Sequence, residues 1–350
     1  MPKRRASRPR TATTIREVAR ELGMSVATVS RALSRPEMLR KETRDKVLAV
    51  VERLGFRPNL LARGLRRGRA HSILLVVPNL SPFFLEIFAG AEEVARRADF
   101  ALLLGNANGP DGEEACFDQV LSGRADGIIL ATGLAPAAYA GNQRALPPLV
   151  AVIERLRGRN VPVIRTDHRS GAHEATRHLI DLGHRRVAHI TGLKSVPSTA
   201  RRLQGYRDAL ESAALPYAPE LVCPGDFTMQ SGSDAVEKLL ALAEPPTAVL
   251  CANDEMAFGA IRALRRLGLT VPADISIVGF DDQNMAAMYN PPLTTVHIPR
   301  HELGRRAALE LIEQLEGRNA AHEVVLPNRL IVRESTAPPA KHRPRAARRK

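Results

Sequence analysis

The stretch Thr14 to Pro58, TIREVARELGMSVATVSRALSRPEMLRKETRDKVLAVVERLGFRP, constrains this chain more than any other. Thr14 followed by Glu17 is a reciprocal capping pair that satisfies two orphan amides and opens a helix. Ile15, Val18, Ala19 and Leu22 then recur at helical spacing and form one apolar stripe. Gly23-Met24 marks a turn, and Ser25 is placed to cap a second helix carrying Val26, Val29 and Leu33. A third helix over about Lys41 to Leu54 adds Val47, Val50, Val51 and Leu54 to close a three-helix core. Two short helices around a tight glycine turn make a helix-turn-helix, whose second member fits the major groove of double-stranded DNA. A small helical bundle with no nucleic-acid role would carry the same core, so the pattern alone leaves both readings open.

The surface of the second helix favours the DNA-binding reading. Its opening, Ser25-Val26-Ala27-Thr28, is short-chained and lets the backbone approach base edges, and Arg31 offers a bidentate fork to guanine. Thr28 and Ser30 suit phosphate oxygens, contacts that position a protein without reading sequence. The segments TIREVARELGMSVATVSRALSRPE and ETRDKVLAVVERLGFRPNLLARGLRRG resemble the LacI/GalR family of bacterial transcription regulators, and the resemblance runs from about residue 13 to 336. It implies that Val26, Ala27 and Arg31 read bases, with Thr14, Ser25, Thr28 and Ser30 completing the DNA contacts of the headpiece.

Charge is distributed unevenly. The formal net charge is +14, yet residues 1–10 carry five basic groups and no acid, and residues 341–350 carry six and no acid. Residues 11–69 contribute +8, which leaves residues 70–340 at −5. Positive charge beside a helix-turn-helix adds phosphate attraction that does not depend on sequence but depends strongly on salt. The terminal arm (1–12) and tail (337–350) lack apolar periodicity and are expected to be disordered. A solubilising role and a DNA-contacting role fit them equally.

Residues 59–70 join the headpiece (13–58) to the rest. In NLLARGLRRG, Leu60, Leu61 and Leu65 share one helical face, but ten residues are too few for a stable isolated helix. Gly64 weakens it by a further ~1 kcal/mol. A segment that orders only when docked is a natural control point; a flexible spacer is the plain alternative. The family resemblance makes this the hinge helix and assigns Asn59, Leu61, Ala62, Arg63 and Leu65 to DNA. Leu65 is then the apolar wedge that kinks a minor-groove step. The family commonly has Ser where Gly64 stands, so a looser hinge is expected here.

From His71 short apolar runs alternate with helical stretches: ILLVV, FALLL, GIIL, LVAVI and VPVI, then RVAHI, TAVLC and ISIVG. Such alternation predicts an α/β body with parallel sheets covered on both faces. Two successive sets predict two lobes with a break near 165–167. A small molecule would bind between them, at the carboxyl ends of the strands. By resemblance this body (71–336) looks like a periplasmic binding protein, with crossovers near Thr166, 292–296 and 319–324. The lobes then cover 71–165 plus 296–320, and 166–292 plus 324–336.

Candidate effector contacts cluster at strand ends. Phe83 and Phe84 follow the first strand, where adjacent aromatics either stack on a ligand ring or start a helix packed into the core. The family pattern favours Phe84 as an effector contact, although VVPNLSPFF is one residue shorter than that pattern and lacks an Asn before Pro82. Arg202, in ARRLQGYRDAL, matches the effector arginine of the family, its plain alternative being an exposed salt bridge. Asn253 and Asp254 follow a strand, and one of them is expected to cap the next helix; the family points Asn253 at the ligand. Asp281 in IVGFDD, Phe227 in GDFT and Glu154 complete the set by the same resemblance. One arginine, carboxylates or amides and aromatic walls suit a neutral polar ring. The body looks most like the cytidine-repressor branch, and the expected effector is a nucleoside or a carbohydrate.

No phosphate-binding loop, nucleophile elbow or zinc-protease motif is present, so no catalysis and no cofactor or metal are expected. His168, His173 and His178 are expected on surface helices or loops. Cys116, Cys223 and Cys251 match no metal spacing and read as small buried hydrophobes of a reducing compartment. With no long apolar run and no secretory signal, a cytoplasmic protein without a membrane partner is expected. A two-fold operator calls for a homodimer, and no leucine heptad follows Thr336 to build a tetramer. A solute-binding protein of a transporter would share the body but not the headpiece.

Overall fold

The computed structural model describes residues 13–34, 38–56, 70–109, 111–134, 136, 147–318 and 322–340. The chain divides at Ala70/His71 into two compact units. The hinge residues Asn59, Leu61, Ala62, Arg63 and Leu65, the arm 1–12 and residues 341–350 lie outside the described residues.

In the first unit, the Thr14 amide donates to Glu17 Oε2 at 2.7 Å while Thr14 Oγ1 accepts from the Glu17 amide, which starts α1 (Ile15–Leu22). Gly23 stops it with φ of 62°, a left-handed conformation that costs glycine nothing. Ser25 Oγ accepts from the Thr28 amide at 3.1 Å and opens α2 (Val26–Ser34). With α3 (Lys41–Arg53), these helices bury Val18, Ala19, Val29, Ala32 and Val47, and Ile15, Leu22, Leu33, Val50, Val51 and Leu54 pack around them. Thr13 Oγ1 donates to the Leu54 carbonyl at 3.0 Å and ties the start of α1 to the end of α3.

The second unit is two six-stranded sheets. The first lobe contains β1 (Ser72–Val77), β2 (Ala101–Asn106), β3 (Gly127–Leu130), β4 (Leu149–Val152) and β5 (Val163–Thr166). It is completed by β11 (Glu323–Leu326), in the order β11-β5-β4-β3-β1-β2, all parallel. Every residue of β1 is buried because both faces are covered. Ile73, Leu75 and Val77 join the core beneath α4 (Pro82–Arg97) and α11 (Arg300–Leu315), while Leu74 and Val76 meet Cys116 and Phe117 of α5 (Gly112–Leu121). Helices α4 and α11 touch backbone to backbone: a Cβ on Gly90 would lie 1.9 Å from the His301 carbonyl oxygen.

The second lobe holds β6 (Val187–Thr191), β7 (Val222–Pro224), β8 (Ala248–Cys251), β9 (Ser276–Asp281), β10 (Thr294–His297) and β12 (Arg329–Ile331). Their order is β12-β10-β9-β8-β6-β7, parallel except for β10–β12. Helices α6 (His168–Asp181) and α7 (Pro197–Ser212) pack with Val278, Phe280 and Val296, whereas α8 (Met229–Leu240) and α9 (Asp254–Arg266) supply the other core. A short α10 (Asn284–Met288) follows β9.

The chain crosses between lobes at 166–168, as read from sequence, but the other two crossovers fall later than expected, near 298–299 and 327–328. Thr294–His297 pairs with β9 and so belongs to the second lobe; its threonines are polar by type yet fully buried on an inner strand. Glu323–Leu326 pairs with β5 and belongs to the first lobe, as a four-residue edge strand in which exposed and half-buried positions alternate. Asn328 Nδ2 donates to the Asp167 carbonyl at 2.6 Å and joins the third crossover to the first.

Candidate effector cleft and DNA-reading helix

On α2, Ala27 and Arg31 are exposed, Thr28 and Ser30 half-buried, and Val26 half-buried against the headpiece core. Val26 therefore serves the core as well as the surface. Ser25 and Thr28 share a hydroxyl–hydroxyl hydrogen bond of 2.8 Å, while Ser25 Oγ also caps the helix by accepting from the Thr28 amide. Thr14 is exposed at the N-terminus of α1, the end of a helix that favours a phosphate.

In the body, the chemistry gathers at the carboxyl ends of the strands. Asp281 ends β9 with φ of 112°, and it is buried. Burial pushes its carboxyl up to about 6, against the opposing pull of Arg202 and Arg300. Arg202, on the second turn of α7, is buried as well: Nη1 donates to the Ala252 carbonyl, Nη2 lies 3.6 Å from Asp281 Oδ1, and Cζ sits 4.0 Å from the centre of the Phe280 ring. Burial draws its pKa down while Asp281, Glu154 and Asp254 oppose the shift. The group stays a cation, as guanidinium does in proteins.

Glu154 follows β4 and reaches across to the second lobe, where its Oε1 accepts from the Ser198 amide at 2.9 Å in the first turn of α7. His168, expected on the surface, is instead buried at the first turn of α6. Its Nδ1 is 3.4 Å from Arg202 Nη2, and burial together with Arg202 holds its pKa well below the usual histidine value. The crossover turns it inward, which no local periodicity could signal.

Phe83 and Phe84 occupy the first turn of α4, half-buried against the core and edge to face at 5.1 Å. The short loop before them closes through Asn79, whose Oδ1 accepts from the Ser81 amide at 3.0 Å. Phe227 has φ of 71°, and its ring lies flush on Gly192, where a Cβ would come within 2.0 Å of it. Asn253 is the N-cap of α9: its Oδ1 accepts from the Met256 amide at 2.9 Å and its Nδ2 donates to the Phe227 carbonyl at 3.0 Å. Each of its polar atoms thus has one partner within the protein, and the amide nitrogen ties it to the Phe227 loop. Asp254 beside it is fully buried, accepting from Thr295 Oγ1 at 2.5 Å and the Gln283 amide at 2.7 Å. Burial, with Asp281 nearby, raises its pKa well above the usual carboxylate value.

Among the described residues, eight buried side-chain polar atoms lack a hydrogen-bond partner. Six of them are Glu154 Oε2, Thr166 Oγ1, His168 Nε2, Thr199 Oγ1, Arg202 Nε and Asp281 Oδ1. All six belong to strand ends and first or second helical turns around the crossover, while folded proteins ordinarily satisfy such groups. The sequence reading named Glu154, Arg202 and Asp281 as effector contacts, placed His168 on the surface and did not name Thr166 or Thr199. Among the described residues no group of His, Cys, Asp and Glu could hold a metal ion, and no helix is long and apolar enough to cross a membrane.

A helix-turn-helix unit joined in one chain to a two-lobed α/β body with a polar interlobe site defines a ligand-controlled, DNA-binding transcription regulator. Residues 14–59 match the model for bacterial regulatory proteins of the lacI family, and residues 176–336 match that for a periplasmic binding protein-like domain. The chain belongs to the LacI family. It is 37% identical over 336 residues to the HTH-type transcriptional repressor CytR of Escherichia coli (strain K12), covering 95% of this chain and 98% of that one. Catabolite control protein A of Priestia megaterium is 34% identical over 328 residues, covering 92% and 99%. Among solved structures, the lac repressor dimer bound to operator and the anti-inducer ONPF superposes with a TM-score of 0.81 at 28% identity, covering 93% and 100%. A CelR–cellobiose complex superposes at 0.68 with 30% identity, covering 92% and 99%.

Proposed function

We propose that this protein is a homodimeric repressor that binds a pseudo-palindromic operator and releases or tightens on it when a nucleoside or carbohydrate enters the interlobe cleft. The cluster of six unpartnered buried polar atoms carries the effector reading. It presents carboxylate oxygens, hydroxyls, an imidazole and one guanidinium N–H, a set that suits the hydroxyls and ring nitrogens of a neutral polar ring. Arg202, Asp281 and Glu154 contact the ligand, Phe83, Phe84 and Phe227 supply apolar walls, and Asn253 positions Phe227. A relative named as a complex with cellobiose and another with ribose support a carbohydrate. The resemblance of the body to the cytidine-repressor branch is the support for a nucleoside.

In the headpiece, Ala27 and Arg31 read bases with Val26, and Thr14, Ser25, Thr28 and Ser30 position the helix. Dimerisation is supported by apolar surface on both lobes: Leu103 and Leu104 on the edge strand β2, Leu85 on α4, and Met285 and Met288 on α10 are all exposed. As a DNA-binding regulator related to transcription regulators rather than enzymes, it works in the cytoplasm without catalysis.

The test is fluorescence anisotropy on DNA upstream of the protein's own gene at fixed salt, with a panel of nucleosides and sugars. Tight, salt-dependent binding shifted by one compound is the expected result. Binding equally weak to every DNA would end the regulator reading of the headpiece, and tight binding that no compound moves would end the cleft assignment.

A further inference from the structure

Arg300 is the first residue of α11, just past the crossover at 298–299, and only 3% of it is exposed. Its guanidinium serves both lobes. Toward the second lobe, Nη1 donates to the Asp281 carbonyl and Nη2 to the Asp282 carbonyl at 3.0 Å. Toward the first, Nε donates to Glu86 Oε2 at 2.7 Å, and Nη2 lies 2.5 Å from the same oxygen. The two carbonyls belong to consecutive residues with positive φ, 112° at Asp281 and 54° at Asp282. L-residues keep such conformations only where surrounding contacts enforce them. Glu86 stands on the second turn of α4, directly behind Phe83 and Phe84, and the Arg300 guanidinium lies 5.8 Å from the centre of the Phe83 ring.

We propose that Arg300 is the positioning residue of the cleft: it aims the Asp281 carboxylate and, through Glu86, ties that aim to the separation of the lobes. The proposal rests on the cleft being the effector site. A planar, rigid fork can hold two carbonyls and a carboxylate at once only while the end of β9 and the start of α4 keep one spacing. Rotation of one lobe against the other breaks one arm, after which the backbone at 281–282 loses a constraint that keeps it at positive φ. A ligand held between Asp281 and the α4 phenylalanines thereby biases the lobe equilibrium through Arg300. A second pair of contacts steadies the far side of the turn, since Asp282 accepts from His297 Nδ1 at 2.9 Å and Arg333 Nη2 at 2.7 Å.

Hydrogen–deuterium exchange on the full-length protein, with no ligand added, tests this separately from the effector reading. The Glu86 side chain is 38% exposed, so Glu86→Ala leaves the buried Arg300 within reach of water and the fold intact. Exchange in segments 279–289 and 80–88 is expected to quicken about tenfold, the loss typical of one charge-assisted bond, while 229–240 is unchanged. Arg300→Lys, which keeps charge but not the fork, is expected to open 279–289 further, and Glu86→Gln, which keeps an acceptor oxygen, to fall between wild type and Glu86→Ala. Unchanged exchange at 279–289 in both Glu86→Ala and Arg300→Lys would overturn the proposal. So would a uniform loss of protection across the second lobe, which would make Arg300 a general structural residue.

Discussion

Arg202 and Asp281 form a buried pair held 3.6 Å apart, close enough for charge attraction but longer than a hydrogen bond. The arginine is secured instead by the Ala252 carbonyl and the Phe280 ring, and its Nε and the Asp281 Oδ1 are left without a hydrogen-bond partner. Arg202→Met keeps the bulk over Phe280 but removes the cation. Effector affinity is expected to fall at least 100-fold, about 3 kcal/mol, because two carboxylates are left without it. Isothermal titration with whichever panel compound shifts operator binding reads this directly.

Asp281 introduces a pH dependence of known sign. Its folded pKa of about 6 exceeds the unfolded carboxyl near 3.8, so the stability it contributes is fully present below about 4 and is lost as pH rises through 6. Ionising it in the fold costs roughly 3 kcal/mol. Asp281→Asn should therefore raise the melting temperature at pH 7.5 relative to wild type and show no gain at pH 4, while abolishing the effector response. A melting temperature that tracks wild type at both pH values would contradict the raised pKa.

Gly192→Ala tests Phe227 without touching it. The added methyl meets the ring at 2.0 Å and must push it off Gly192. Overpacking of this kind costs about 1–3 kcal/mol. The expected signature is weakened effector binding with operator affinity retained in the absence of ligand.

His184 straps the C-terminal segment to the second lobe. Its Nδ1 pairs with Thr247 Oγ1 at 2.8 Å, and its Nε2 meets the Ala337 carbonyl at 2.9 Å and Ser276 Oγ at 3.1 Å. Burial lowers its pKa and that of His178, and it takes His189 down to about 4. Neutral imidazole is the folded form, so the stability these groups contribute is present above about 6.5 and lost as pH falls toward 4. His184→Leu should cost about 2 kcal/mol at pH 7.5 in urea unfolding and flatten the acid slope below about pH 6.5.

Arg31 and the basic arm should separate by readout. Arg31→Ala is expected to cost about 1–3 kcal/mol on the operator and to relax preference at one base pair in each half-site. Deleting residues 1–10 should instead weaken all DNA alike and reduce the salt slope. Competition titrations against operator variants at two salt concentrations distinguish the two.

Much of the fold was legible because its signals are local. Thr14 and Glu17 sit three residues apart, and the apolar runs of β1, β3, β4 and β8 are continuous because both sheet faces are covered. Strand β10 was read as a crossover because Thr294 and Thr295 satisfy their hydroxyls with Asp254, Thr336 and the Arg333 amide rather than advertise burial by hydropathy. In the cleft, Asp281 and Arg202 were readable from motif. His168 was not, since its burial depends on where the first crossover turns.

The amino-acid order alone determined the helix-turn-helix, the alternation of strand and helix, and the segregation of positive charge, because caps, periods and charge runs act within a few residues of one another. Only the tertiary structure decided which side chains became partners. Glu86 and Arg300 are 214 residues apart, Glu154 and Ser198 44, Arg202 and Ala252 50. Such contacts exist only once strands and helices distant in sequence have packed, and no local pattern of apolar and polar residues encodes them.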